Sequence, residues 1–367
     1  MKFTSSKNSL LEGILTVQKA VTGKTTLPIL EGILINCKNN ELTLTATDLD
    51  LGIETKIDCT VISNGAVVLN SRLFGEIIRK LPDMDIEIEV DSTYNTTIVC
   101  GKSKFNLIGQ NPDEYPELPV INENVMYRIP QDLLRNMIRQ VIFAVAQDET
   151  RPILTGVLFE VKDGILSMVA LDAYRLALRS SNIGSKNDIS AVIPGKTLSE
   201  VSKILLTSDD EVSITFTPNH ILFTIGDTRV ISRLLEGEYM NYRQIIPEEY
   251  KMRVKANTRA LQESIERASL MANEGKTNLI KMDIKAGIMA ITSNSQLGNV
   301  YEEVPIELEG DDIEIAFNSK YFLDVLKIID CEEVYLELSS SVSPCIIKTV
   351  DEDGYVYLIL PVRLIAH

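Results

Sequence analysis

Residues 152–176 read PILTGVLFEVKDGILSMVALDAYRL, and the same pattern stands 124 residues earlier and, more weakly, 123 residues later. Pro28-Ile29-Leu30-Glu31-Gly32-Ile33-Leu34 lies against Pro152-Ile153-Leu154-Thr155-Gly156-Val157-Leu158, and both copies run through a turn and a second apolar run into an aspartate, Asp48 and Asp172. The third copy, 279–295, keeps the apolar pattern and a turn at Ala286-Gly287, opposite Asn39-Asn40 and Asp163-Gly164, but carries Ser295 where the aspartate stood. Asn/Asp/Gly pairs between two apolar runs signal a β-hairpin. A pattern recurring at one long period marks a repeated architecture. The chain therefore reads as a triplication, with domains expected at 1–125, 126–250 and 251–367.

The bulk properties agree with that size. A chain of 367 residues divides into three parts of ordinary domain length. Its 45% apolar and 24% charged content describes a globular protein and excludes disordered and fibrous classes. The opening MKFTSSKNS has no apolar core of a signal peptide, and no apolar run reaches the ~18 residues of a membrane span, so a cytoplasmic location is expected. Cys37, Cys59, Cys100, Cys331 and Cys345 are odd in number and include no C-x-x-C pair. They read as reduced thiols, and with only His220 and His367 beside them no metal or other cofactor is expected.

Along the chain, 8–22 has near-helical spacing of Leu10, Leu11, Ile14, Leu15, Val17 and Val21, with Ser9 as its cap. A strand is expected at 53–62. A helix follows at 71–82, with Leu73, Phe74, Ile77, Ile78 and Leu81 on one stripe and Pro82 as its stop. Ile86, Ile88 and Val90 alternate with acids as a half-buried strand does, and a hairpin leads into 102–109. The second unit repeats this order with helices at 131–145 and 195–206 and an alternating strand at 212–216. The third has helices at 258–272 and 319–330 and a strand at 334–338. Connectors at 112–124 and 236–250 are rich in Pro, Glu and Tyr.

Charge is distributed unevenly. The chain carries −16, which taken alone argues against nucleic acid. The helical windows 8–24, 71–81, 131–146, 195–206, 258–272 and 319–329 hold 13 basic and 7 acidic side chains, so the helices carry +6 and everything else −22. Solvation of helix surfaces would explain this as readily as a positive face would.

The opening MKFT, the segments TLPILEGIL (26–34), TATDLDLGIE (45–54), RPILTGVLF (151–159), ALDAYRLA (170–177) and FNSKYFLDVL (317–326), and the ending YLILPVRL (357–364) together resemble the bacterial DNA polymerase III β subunit family, the sliding clamps. The resemblance covers essentially the whole chain. It implies an α+β fold of three repeated DNA-clamp domains, each with antiparallel sheets outside and two helices inside. Two subunits would close head to tail into a ring around double-stranded DNA. It also implies tethering of the DNA polymerase III catalytic subunit, with the clamp loader and other polymerases and repair proteins as further partners, and neither enzymatic activity nor a membrane role. A sliding tether needs phosphate attraction without base readout, which scattered Lys and Arg supply.

Matched residue by residue, the family's DNA-facing positions fall on Lys24, Arg72 and Lys196. Its partner-peptide groove falls on Arg151, Leu154, Leu171, Tyr174, Arg175, Leu176, Met240, Asn318, Tyr321, Val342, Leu358, Leu360, Pro361, Val362 and Arg363. The resemblance implies a pocket lined by Leu154, Leu176, Val342, Leu360 and Val362. Leu171, Tyr174 and Met240 depart from well-studied relatives, which carry threonine, histidine and proline there. Ile365-Ala366-His367 extends past the family's usual end. The subunit contact falls on Lys102, Lys104, Phe105 and Leu107, facing Leu270, Met271, Glu302 and Glu303 of a second copy.

Two rival classes are set beside this reading. Asp48 and Asp172 recur after a strand, and paired carboxylates can perform acid–base catalysis. They repeat because the unit repeats, however, and no Gly-rich phosphate loop, nucleophile elbow or Cys/His pair accompanies them. The other rival is a scaffold for peptide motifs with no DNA role, for which the helix charge would be incidental.

Overall fold

A computed structural model describes residues 1–23, 26–38, 41–121, 125–148, 150–185, 187–274, 278–350 and 354–363. The expected turn at Asn39-Asn40, the candidate Lys24 and the extension Ile365-Ala366-His367 lie outside the described residues.

The central hairpins form where the turn chemistry placed them. Gly156–Lys162 pairs antiparallel with Ile165–Leu171 across Asp163 and Gly164, whose φ values of 51° and 81° are the left-handed pair such a turn requires. Gly32–Lys38 pairs with Glu41–Thr47, and Leu279–Lys285 with Ile288–Ser295. Each hairpin gains a strand on either side, so each copy yields a four-stranded antiparallel sheet.

Among the described residues, six α-helices accompany the sheets: α1 (Lys7–Val17), α2 (Ser71–Lys80), α3 (Gln131–Val141), α4 (Gly195–Ile204), α5 (Thr258–Glu274) and α6 (Ser319–Leu326). Of the expected stripes, Leu10, Ile14 and Val17 on α1 and Phe74, Ile77 and Ile78 on α2 are buried, whereas Leu15 and Leu73 are exposed; α6 buries Phe322, Val325 and Leu326. Caps sit one residue before the helix in each clear case. Asn70 accepts from Leu73 N–H, Asn318 from Lys320 N–H, and Ser6 rather than Ser9 caps α1 by accepting from the Ser9 N–H.

The chain divides into two compact units, and these follow the sheets. The first comprises Met1–Leu134 and Lys196–Leu234. It holds an eight-stranded sheet and a five-stranded sheet. The eight-stranded one is continuous because Thr228–Arg233 of the second repeat pairs with Leu51–Ile57 of the first. The expected strand at 53–62 is two strands: Leu51–Ile57 belongs to this sheet, and Thr60–Ser63 crosses to the five-stranded one, where it pairs with Lys2–Ser6. The second unit, Arg135–Gly195 and Leu235–His367, holds a twelve-stranded sheet. There Arg175–Asn182 of the second repeat pairs with Tyr355–Ile359 of the third.

The connectors carry buried anchors, contrary to their loop-like composition. Tyr115 is buried; its hydroxyl donates to the Gly32 carbonyl and accepts from the Thr47 N–H, both at 3.2 Å. Tyr239, 124 residues on, donates to the Val169 carbonyl at 3.1 Å. Each phenol pins its connector to the central hairpin of its own repeat.

Candidate functional site

The repeated aspartates are turn residues. Asp48 Oδ1 accepts from the N–H groups of Asp50 (3.2 Å) and Leu51 (2.8 Å), and Asp172 Oδ1 accepts from those of Tyr174 (2.8 Å) and Arg175 (3.0 Å). In the third repeat the Ser295 hydroxyl accepts from Leu297 N–H at 3.2 Å. A short oxygen-bearing side chain closing a turn on its own backbone explains the recurrence, and the loss of the carboxylate in copy three, without any acid–base role.

In the second repeat the turn carries more. Asp172 Oδ2 accepts from Arg175 Nε at 3.0 Å, while Arg175 Nη1 donates to Asp324 Oδ2 and Nη2 to the Phe143 carbonyl, both at 2.5 Å. The guanidinium lies 4.6 Å over the Tyr321 ring and 5.7 Å from that of Phe143, and Tyr174 stacks on Tyr321 with centroids 6.1 Å apart at 22°. Burial lowers the Arg175 pKa, but Tyr357, Asp324 and Asp172 outweigh it and hold the net shift upward. Arg175 is only 7% exposed, so it braces this region from below and does not reach out as a rim contact.

The remaining candidate groove residues separate into two layers. Leu154, Leu171, Leu176 and Leu358 belong to one buried cluster with Leu158, Val169, Val192, Tyr242 and Ile346. Of the five residues expected to line a pocket, Leu154 and Leu176 are 5% and 1% exposed and lie as its floor, while Val342, Leu360 and Val362 are exposed. Tyr174, Met240, Val342, Leu360 and Val362 are large apolar side chains left exposed. Tyr321, Asn318 and Pro361 are half-buried, and Arg151 and Arg363 are exposed. The last described segment is stitched at two points, Leu360 N–H to the Tyr174 carbonyl (2.9 Å) and Val362 N–H to the Ala316 carbonyl (2.8 Å). Asn318 spends its side-chain oxygen capping α6. Sequence reading missed Asp324, Phe143, and Ile245 and Ile246, which pack against the same cluster. An apolar pair between Tyr242 and Pro247 in a polar connector was the available signal.

The basic candidates are partly neutralised. Arg72, on the exposed face of α2, pairs with Glu76 one turn on at 3.1 Å, and Lys196 Nζ lies 2.5 Å from Asp48 Oδ2. Lys203 pairs with Glu200, Arg259 with Glu263 and Arg139 with Asp330. Arg79 and Lys80 in the last turn of α2 and Lys320 on α6 are exposed without an ion-pair partner among the described residues, and the sequence match had not singled them out.

Among the strands that pair on one side, two carry the residues expected at the subunit contact. Ser103–Ile108, bearing exposed Lys104 and Phe105 and half-buried Leu107, pairs on one side only, with Asn95–Cys100; exposed Lys102 immediately precedes it. Gly298–Glu309 pairs with Ile288–Ser295 through its first eight residues and with Met252–Asn257 through its last four, so 298–305 has one side unpaired. Beside it lie exposed Leu270 and half-buried Met271. Glu302 is held by Arg267 (Nε 2.9 Å, Nη2 2.5 Å), whereas Glu303 is exposed and accepts from the Tyr301 hydroxyl. Exposed long edges invite pairing with another chain.

Three sequence families match in chain order: DNA polymerase III beta subunit, N-terminal domain, over residues 1–119, central domain over 128–241, and C-terminal domain over 243–363. The chain belongs to the DNA polymerase III beta subunit family. Among its relatives, the beta sliding clamp of Bacillus subtilis is 42% identical over 376 residues, covering 99% of this chain and 100% of that protein. That of Halalkalibacterium halodurans is 39% identical over 378 residues, with 99% and 100% coverage. The solved DNA polymerase sliding clamp of Bacillus subtilis superposes with a TM-score of 0.96 at 40% identity over 100% of both chains. The α+β architecture that the resemblance implied is thus that of the beta subunit family. No helix among the described residues is long and apolar enough to cross a membrane.

Proposed function

We propose that this chain is a sliding clamp: a non-enzymatic, cytoplasmic subunit of three domains, 1–125, 126–250 and 251–367. Two copies close head to tail around duplex DNA and tether the replicative polymerase, the clamp loader and repair proteins. The observation that carries the reading is the match of all three clamp domains, in order, across nearly the whole chain.

The chemistry of the chain supports each part. An open edge with Lys102, Lys104 and Phe105 and a second with Glu303 and Leu270 differ in sign and share apolar contact, as a heterologous interface requires. Helix cations paired to nearby carboxylates give weak, register-free attraction to phosphates, and closure of the ring makes weak attraction sufficient. Lys24, Arg72 and Lys196 are the proposed phosphate contacts, joined by Arg79, Lys80 and Lys320. A polymerase segment would seat large apolar side chains against Tyr174, Met240, Val342, Leu360 and Val362. Each anchor contributes about 2 kcal/mol before ordering costs, which leads to micromolar exchangeable binding.

The deciding experiment loads the protein on circular duplex and then cuts the circle. Topological binding predicts retention before the cut and run-off after it; equal retention on both defeats encirclement. Light scattering is expected to return twice 40.9 kDa. For the groove, Val342→Asp and Leu360→Asp are the informative variants. Leu176→Asp would bury an unpaired carboxylate and test folding instead. Unchanged affinity of a labelled polymerase peptide for both folded variants would place the partner site elsewhere.

A further inference from the structure

We infer that Asp324 is a positioning residue for the partner groove, acting through Arg175 to set the stacked Tyr174 and Tyr321 rings. The inference rests on the groove reading above and adds a residue outside it.

The geometry makes Asp324 one of three fixed points of a buried plane. A guanidinium is flat, so two of its nitrogens held by acceptors fix the orientation of the third and of both faces. Here Nε is held by Asp172, Nη1 by Asp324 and Nη2 by the Phe143 carbonyl. Asp172 is on the same turn as Arg175 and moves with it, and Phe143 offers only a backbone oxygen. Asp324 alone brings a charged acceptor from α6, the helix that also carries Tyr321 three residues earlier. Ring and carboxylate thus share one helical turn, and the cation sits against both, 4.6 Å from the ring centroid.

The consequence passes outward. Tyr321 is further fixed through its carbonyl, which accepts from the Tyr357 hydroxyl at 2.9 Å. Tyr174, more than half exposed, stacks on Tyr321 and contributes the carbonyl that holds Leu360 N–H. Removing the Asp324 carboxylate leaves Nη1 without its charged partner in a buried place. The guanidinium then turns toward other acceptors, and Tyr321 loses the cationic face it lies against. An incoming apolar side chain would then have to order a wall that is otherwise already ordered.

The test titrates a fluorescein-labelled peptide carrying a clamp-binding motif of the cognate replicative polymerase against the full chain, by anisotropy, below the melting temperature of every variant. Asp324→Ala is expected to weaken binding about tenfold, with the light-scattering mass unchanged. Asp324→Asn, which keeps an acceptor oxygen, should recover part of the loss. In a Tyr321→Ala background, Asp324→Ala should cost nothing more, because the ring through which it acts is gone. General loosening of the fold would weaken binding in both backgrounds equally. Wild-type affinity in folded Asp324→Ala, or an equal further loss in the Tyr321→Ala background, overturns the proposal. If Asp324→Ala does not fold, the same comparison is made with Asp324→Asn. Val342→Asp separates the two readings. Loss there with none in Asp324→Ala rejects only the positioning role, and no loss in either rejects the groove.

Discussion

The turns at 48–51 and 172–175 occupy one position in the repeat and are closed by the same carboxylate oxygen on the same two backbone N–H groups. They differ in what the second oxygen does. Asp48 gives it to Lys196, whose side chain is 57% exposed; Asp172 gives it to Arg175, which is almost wholly buried and also holds Asp324 and Phe143. The shared half is local and belongs to the fold. The other half is where each copy acquired its own use, a surface cation in one and a buried bracket beside the groove in the other.

The contrast can be broken most directly at Arg175. Arg175→Met removes the bracket and leaves the Asp172 and Asp324 carboxylates facing a poorly solvated space. A loss of about 3–5 kcal/mol is expected in denaturant melts. A loss below about 1 kcal/mol would mean the bracket is not structural. Next in size is the difference between Asp172→Ala and Asp48→Ala. Both lose a turn closure of about 1 kcal/mol, but the former also strands a buried cation, so it should exceed the latter by roughly 2 kcal/mol. Equal losses would erase the distinction.

A third carboxylate under the same cluster sharpens the point with pH. Burial raises the Glu160 pKa, but hydrogen bonds from Arg243 and Tyr242 win and depress it. A depressed folded value stabilises above the ordinary carboxylate pKa of about 4.3 and loses that stability as pH falls through the folded value. The melting temperatures of wild type and Glu160→Gln should therefore differ at pH 7 and converge below about pH 4; a gap constant with pH refutes the assignment.

Lys196→Ala should cost about 1 kcal/mol, shrinking with salt, since the lysine end of the pair is exposed although the Asp48 side chain is only 9% exposed. The smallest effect is expected for Ser295→Ala, a few tenths of a kcal/mol, because its turn has one weaker hydroxyl acceptor.

What was legible in the sequence was what is decided locally. The hairpin at 156–171 follows from Asp163-Gly164 between two apolar runs, and the buried face of α2 at Phe74, Ile77 and Ile78 from spacing alone. What was not legible was decided by distant chain. Nothing local in 53–62 says that Ile57 pairs with Leu42 in one sheet while Val61 pairs with Phe3 in another. The Ser9 cap failed because Ser6 stands at the end of a strand whose pairing partner, Asp85, is far along the chain. Among the candidate groove residues, alternation marks Leu154, Leu171 and Leu176 as apolar-face residues but cannot tell a covered face from an open one. A count of helix charge likewise finds Arg72 and Lys196 without revealing Glu76 and Asp48 beside them.

The two hydrogen bonds that hold Leu360 and Val362 give the exposed patch a divided character. Its amides are locked while its side chains remain in solvent. Amide exchange at these two positions should be slow, opening only with the 172–175 turn and the Ile313–Asn318 strand that supply the carbonyls. A visiting segment therefore meets a surface whose backbone entropy was surrendered at folding, and freezes little more than rotamers when it lands. That favours many different sequences binding briefly over one sequence binding for long.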